Sequence, residues 1–387
     1  MTISTKQGIH TCDQLFERTV WLSKKEGERM NSRERILAAI NHQPVDRVPT
    51  DIWATPEVMD KLRARFGSDE DVRQALHIDG IADIRPAYIG PPLTMCPDDA
   101  GIDFKVLYGV WGAGLQWMEH GTGRYLEQLN YPLANAMTAA DLDAFRWPSA
   151  DWFDYAGFKA VAERHHAKQA VMCGYMAPVY IHNILRGMEQ SLMDPLVEPE
   201  LTHELLRRAC DFEYERHRRT FEAAPGLIDI AQVTDDLGNQ NGPMFSLELY
   251  RDFYKPHHQR FIKLCREFGI KVFHHDDGGM RAFLPDLVEI GIEILNPVQW
   301  SCPGMELTAL KNDFGKRICF HGGVENQKIL PFGTAEDVRA EVRHCIDDLA
   351  CDGTGYILAP CHNLQSLTPI ENIIAMYDEA WKYGKIS

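Results

Sequence analysis

The chain has 387 residues, 45% of them apolar and 25% charged, with a formal charge of −16. That composition belongs to a globular protein able to bury a large core. The acidic balance argues against a nucleic acid or an anionic membrane surface as partner, because phosphates need a basic face.

No stretch of about eighteen apolar residues occurs, and the start lacks the basic segment and apolar core of a secretory leader. Ten cysteines are scattered with no CxxC pair, which suits thiols in a reducing compartment better than a disulfide scaffold. The expected location is the cytoplasm, with no membrane contact and the oligomeric state open, a homodimer included.

Residues 1–30 are polar and mixed in charge and read as an N-terminal arm. Asn31-Ser32-Arg33-Glu34 has the form of a capping box, and Ile36, Leu37 and Ile40 follow at helical spacing. Past Pro44, the run 47–53 reads as a first buried strand and 80–84 as a second. Residues of about 101–133 carry turn glycines, aromatics and short alternating runs such as 104–108. They predict a β-hairpin insertion after the second strand. Helical patterning returns over 139–168.

From residue 169 short apolar runs alternate with amphipathic stretches. The runs are 170–173, 227–231, 270–273, 293–296, 317–320 and 356–359. With the two early strands they make eight, which predicts one α/β domain over 31–387, a (β/α)8 TIM-type barrel. An open doubly wound sheet is the alternative. The absence of a GxGxxG or Walker loop after any strand weakens it.

In such a barrel the active site lies at the C-terminal ends of the strands. The residues just past the last five predicted strands include Asp235, Asp236 and Gln240, then His275 and Asp277, then Asn296, then Glu325 and Asn326, then Cys361 and His362. Side chains at i and i+2 of an extended segment share a face, so His275 and Asp277 can point the same way. Imidazole and carboxylate are ordinary zinc ligands, and Cys361 or His362 would complete a three-ligand site with an open position. The bland alternative makes the acids helix caps and the histidines core. Asp235, Asp236, Gln240 and Asn326 would contact substrate; Glu325 follows a Gly-Gly pair that lets backbone approach a ligand. Trp53, Tyr88, Tyr180 and Trp300 are candidate pocket walls. His257 and His258 lie on a predicted helix and read as packed or solvated.

The opening 31–40 followed by Pro44-Val45-Asp46-Arg47-Val48-Pro49, the stretch 273–279, the Gly-Gly-Val-Glu-Asn run at 322–326 and Thr368-Pro369-Ile370-Glu371-Asn372 resemble the uroporphyrinogen decarboxylase-like superfamily. The resemblance spans nearly the whole chain and implies the same barrel. True decarboxylases of that family carry an Arg-Gln-Ala-Gly-Arg segment for the porphyrinogen carboxylates. Here the place reads Ile52-Trp53-Ala54-Thr55-Pro56-Glu57, with no arginine. The branch of zinc-dependent, corrinoid-linked methyltransferases binds its metal through His-x-Cys and a later Cys. The corresponding residues would be His275, Asp277 and Cys361, with a carboxylate where that branch has a thiolate.

The expected function is therefore methyl transfer between a small substrate, a methoxylated compound or tetrahydrofolate, and a corrinoid such as methylcobalamin, free or on a partner protein. Asp236, His275, Asp277 and Glu325 are the candidate catalytic residues. Tyr180, Asp235, Gln240, Asn326 and His362 are the candidate substrate contacts. A metal-free lyase acting on a smaller carboxylate and a zinc-dependent hydrolase are the rival enzymes, and a non-catalytic corrinoid-binding role is the last alternative.

Overall fold

The structure is a computed structural model that describes residues 30–120 and 123–386. The predicted arm, residues 1–30, lies outside the described residues except for Met30. Seven parallel strands pair in chain order: β1 (Ile81–Asp83), β2 (Ala170–Met176), β3 (Ile230–Val233), β4 (Lys271–His275), β5 (Ile294–Asn296), β6 (Cys319–Val324) and β7 (Tyr356–Pro360).

The eighth position is filled by residues 50–54. Thr50 bridges Leu358 of β7 in parallel, and Ala54 bridges Leu364 in the segment just past it. On the other side, the Thr50 carbonyl accepts from the amides of Asp79 and Gly80, and the Asp51 carboxylate accepts from the Ile81 amide at 3.0 Å. The barrel closes there. The predicted first strand is thus a bridged segment rather than a regular strand, because Pro49 has no amide to donate to a ladder.

Alternation along the strands builds two apolar layers. Ala170, Met172, Ile230, Phe273, Ile294, Cys319 and Ile357 fill the barrel interior. Their neighbours, such as Val171, Ala231, Val272 and Leu358, face the surrounding helices. The helix Ser32–Ile40 starts with the predicted capping box at Asn31 and Glu34. Its Ile36, Ala38, Ala39 and Ile40 pack on the interior layer and stopper the N-terminal end of the barrel.

At that end Asp79 is fully buried among charges that answer it. It ion-pairs Arg35, meets Arg47 at 2.8 Å and accepts from the Thr50 amide at 3.0 Å. Asp46 takes the other edge of Arg35 at 2.6 Å.

The insertion differs from the expected one in part. A hairpin is present, Leu115–His120 with Gly123–Gln128. The run 104–108, read as alternating, instead lies within a helix, Ile102–Gly109. Five residues cannot separate a period of two from one of 3.6, and Val106, Leu107 and Tyr108 pack together against the core. No helix among the described residues is long and apolar enough to cross a membrane.

Candidate functional site

His275 ends β4 and Asp277 follows two residues later; His362 follows β7 by two residues. Among the described residues these three form a group able to hold a metal ion, with one ligand atom from each within 4.8 Å of the others. The Asp277 Oδ2 lies 3.9 Å from His275 Nε2 and 3.5 Å from His362 Nε2. Ligands held at about 2.0–2.2 Å around a tetrahedral zinc stand roughly 3.3–3.5 Å apart. The two Asp277 separations lie within about half an ångström of that spacing, and all three donors lie within 4.8 Å of one another, so the set can close on a zinc ion by side-chain adjustment.

The hydrogen bonds behind His275 decide which of its nitrogens is free. Asp51, as a carboxylate, can only accept, so the His321 Nε2–H donates to its Oδ2 at 3.0 Å. His321 Nδ1 then accepts from the Asn296 side-chain amide at 2.8 Å. The Asn296 oxygen accepts in turn from His275 Nδ1–H at 2.7 Å. Each assignment forces the next, and the chain commits the Nδ1 proton of His275 to Asn296, leaving Nε2 on the side of Asp277 and Asp236, at 3.9 and 4.0 Å. Such outer partners orient a ligating imidazole and raise its basicity. Burial holds His362 below the ordinary histidine range, with His275 pushing the same way and Asp277 and Asp236 opposing.

Trp53 stacks on His275 with centroids 5.5 Å apart and meets His362 edge-on at 6.4 Å. Asp236 is half-exposed, accepts from the Asp277 amide at 3.3 Å and stands 4.0 Å from His275 Nε2. Two of the three donors, Asp277 and His362, line a cleft of about 590 Å³ together with Gln240, Asn326 and Cys361. Sequence reasoning thus placed Asp236, Gln240, His275, Asp277, Asn326 and His362 around one mouth.

Three expected site residues are placed elsewhere. Cys361 lines the cleft but lies outside the donor group; its buried thiol donates to the Val298 carbonyl at 3.8 Å. Burial, with Asp277, Glu325, Cys302 and Glu341 nearby, pushes that thiol well above its usual pKa. The thiol is therefore held protonated in this arrangement, and His362 rather than Cys361 stands with His275 and Asp277 in the donor group. Glu325 is buried and accepts the amides of Gln327, Lys328 and Ile329, which leaves it no reach toward a substrate. Asp235 is also buried. It accepts from the amides of Val179 and Tyr180 at the start of the helix Pro178–Arg186 and pairs His258 Nε2 at 3.0 Å.

Tyr180 is half-buried, with its hydroxyl hydrogen-bonded to Tyr108 of the inserted helix. Of the other aromatics, Trp300 donates to Glu341 and Tyr88 to the Pro91 carbonyl, both away from the donors. His258 is core, as expected.

Asp276 and His274 are fully buried neighbours, 3.3 Å apart. His274 Nδ1–H donates to the Val233 carbonyl, and burial drives its pKa down to about 3. Burial and Asp236 raise Asp276 far above the carboxylate range. Burial thus disfavours the charged form of both partners across the 3.3 Å contact.

Two sets of residues escaped the sequence reading. Asn296 was read as a strand-end residue, but its linkage to His275, His321 and Asp51 runs through hydrogen bonds that no spacing reveals. Asp83 and Arg85 stand at the C-terminal end of β1 and were open to detection, because they occupy the strand-end position that the later clusters occupy.

Residues 97–383 match the family model described as uroporphyrinogen decarboxylase (URO-D). The chain belongs to that family. Among solved structures it is similar to a methyltransferase from Methanosarcina mazei, at 19% identity and a TM-score of 0.62, over 92% of this chain and 99% of the other. That likeness shows the fold. Remoter similarities carry no argument. One is to a Penicillium canescens endo-1,4-beta-xylanase (13% identity, 59% of this chain and 78% of the other, TM-score 0.32). Another is to the E. coli 3-keto-D-glucoside 4-epimerase (11% identity, 58% and 91%, TM-score 0.34). No curated protein sequence matches the chain. Family membership and the shared barrel fold are what these comparisons establish.

Proposed function

We propose that this chain is a zinc-assisted methyltransferase that moves a methyl group between a small substrate and a corrinoid, free or carried on a partner protein. The observation that carries the reading is the grouping of two imidazoles and one carboxylate within 4.8 Å of one another, with His275 Nδ1–H committed to the chain through Asn296, His321 and Asp51 so that Nε2 is the nitrogen left for a metal. His275, Asp277 and His362 would hold the ion and leave its fourth position toward the cleft. When bound, zinc supplies Lewis acidity that lowers the pKa of an attacking group or polarises a leaving oxygen.

The remaining work falls to the protein. Asp236, beside His275 and partly open, is placed to orient a polar substrate hydrogen or hold a proton. Gln240 and Asn326 offer both donors and acceptors across the cleft. Trp53 gives the donors an apolar floor that limits water. It sits in the segment where the decarboxylase resemblance calls for arginines, and no guanidinium stands there to grip a polycarboxylated tetrapyrrole.

One observation favours a second reading, a metal-free lyase acting on a smaller carboxylate. Neighbouring protein crowds the partly exposed Asp83 side chain at the end of β1 and pushes its pKa up to about 6, against the opposing pull of Arg85. A carboxyl group poised there can serve as an acid near neutral pH.

Metal analysis of untagged protein, reading zinc and iron together, separates the readings. About one equivalent of zinc, lost in His275→Ala and His362→Ala, is expected, together with methyl exchange to or from cobalamin. Iron in place of zinc would overturn the zinc assignment. Absence of any bound metal after reconstitution, with release of carbon dioxide from a carboxylate substrate, would replace methyl transfer by the lyase. Zinc-dependent turnover with no corrinoid would point to hydrolysis instead.

A further inference from the structure

We propose that Arg85 anchors a carboxylate on the substrate, in a sector of the mouth built by β1, β2 and the inserted helix Ile102–Gly109. For the identity of the substrate this rests on the methyl-transfer reading; the binding itself does not.

Alternation aims the side chain. Ala82 and Ile84 belong to the outer apolar layer, whereas Ile81 packs with the barrel interior. The Ile84 amide still pairs with the Met172 carbonyl, so the extended path continues past Asp83. Asp83 and Arg85 consequently share the inner face, at the end where the mouth opens.

The guanidinium is only partly used. One Nη donates to Asp83 at 2.7 Å, and the other stands 3.5 Å from Asp103 of the inserted helix. Its Nε is buried with no hydrogen-bond partner in the protein. A buried donor left without an acceptor is costly, and a guanidinium fork matches the two oxygens of a carboxylate.

The walls around it are phenolic. Tyr108 and Tyr180 are joined through their hydroxyls, and Tyr175 meets Tyr180 edge-on at 6.0 Å. Tyr175 is set by an irregularity in β2 between Cys173 and Met176. There Gly174 adopts a φ of +99°, and a Cβ on it would come within 3.0–3.1 Å of the His217 ring. The Tyr175 amide donates to that ring at 2.9 Å. Burial raises the pKa of all three phenols, so they stay protonated as donors.

Asp83 need not repel an arriving carboxylate. Its pKa of about 6 lets it take a proton and share it with the newcomer. The carboxylate end would then sit on Arg85 while the methyl-bearing end reaches toward His275.

Calorimetric titration of the full chain with 4-methoxybenzoate, and with neutral 4-methoxybenzyl alcohol, tests the anchor. The benzoate should bind the wild type, and Arg85→Gln should weaken it roughly 10- to 100-fold while leaving the alcohol unchanged. Arg85→Lys keeps the charge and the Asp83 pair, guards against misfolding, and should recover part of the loss. No benzoate binding to wild type, equal affinity for both probes, or full benzoate binding by Arg85→Gln would overturn the proposal. Zinc content and cobalamin methylation are read on the same samples, so failure of the anchor is distinct from failure of the methyl-transfer reading.

Discussion

The two ends of the barrel use the same residue types to opposite effect. At the N-terminal end, Asp79 meets Arg35, Arg47 and the Thr50 amide, and Asp46 completes the set, so every charge has an answering partner. At the C-terminal end His275, Asp277 and His362 bring one ligand atom each to within 4.8 Å of the others at the open mouth. The first arrangement is closed and holds the stopper helix in place; the second is open and has affinity to spare. What separates stability from function here is whether the polar groups are satisfied within the protein.

Substitutions at the two ends give the largest test of that contrast. Asp79→Ala strips the buried Arg47 of its carboxylate and leaves Arg35 to Asp46 alone, and should cost about 3–5 kcal/mol in urea unfolding. Asp277→Asn, half-exposed at the mouth, should stay within about 1 kcal/mol of wild type yet abolish zinc binding. Equal destabilisation by the two changes would break the comparison.

The chain behind His275 sharpens it. Asn296 is buried and links two imidazoles. Asn296→Leu removes the acceptor that fixes the His275 tautomer, so zinc affinity should fall about 10- to 100-fold. The same change strands His321 Nδ1, at a cost of about 1–3 kcal/mol. Competition with a chromophoric chelator and a urea melt read the two effects; unchanged zinc affinity would sink the orienting role.

These cases show what the sequence could and could not disclose. Seven strands were legible because each short apolar run is bounded by turn residues, and the later strand-end clusters followed from the barrel rule. His275 and Asp277 were legible because a spacing of two on an extended segment fixes a shared face. His362 against Cys361 was not, since adjacent residues point opposite ways and no pattern sets the register after β7. Asp235 and Glu325 misled for a related reason. A carboxylate just past a strand serves equally to cap a helix, and only the positions of the amides at 179–180 and 327–329 reveal that use. Asp51, Asn296 and His321 meet only through the closure of the barrel, beyond the reach of local spacing.

Acidity offers a smaller effect with a definite sign. His217 is buried and accepts from the Tyr175 amide. Burial is the main cause that holds its pKa well below the usual value, with Arg216 and Arg85 adding to it. The unfolded chain binds a proton there below about pH 6.5 and the native state does not. Stability is therefore fully present above that pH and is lost as pH falls, by up to about 1.4 kcal/mol per unit for this one group. In His217→Gln the amide can still accept from Tyr175, so urea melts between pH 7 and 5 should show a slope shallower by one proton. An unchanged slope would mean that the ring is not held neutral.

The smallest expected effect is the most discriminating for the metal. Cys361 lines the cleft one residue from a ligand, yet its thiol is turned to the Val298 carbonyl and kept protonated. Cys361→Ala should therefore retain about one equivalent of zinc with affinity within a few-fold of wild type, while His362→Ala loses it. A thiolate ligand would also leave a spectroscopic mark, because cobalt substituted for zinc gives a sulfur-to-metal charge-transfer band. Its absence in wild type fits a site of two imidazoles and one carboxylate. Its presence, with loss of metal in Cys361→Ala, would mean that β7 turns its other face to the mouth, and would return the site to the thiolate chemistry that the resemblance first implied.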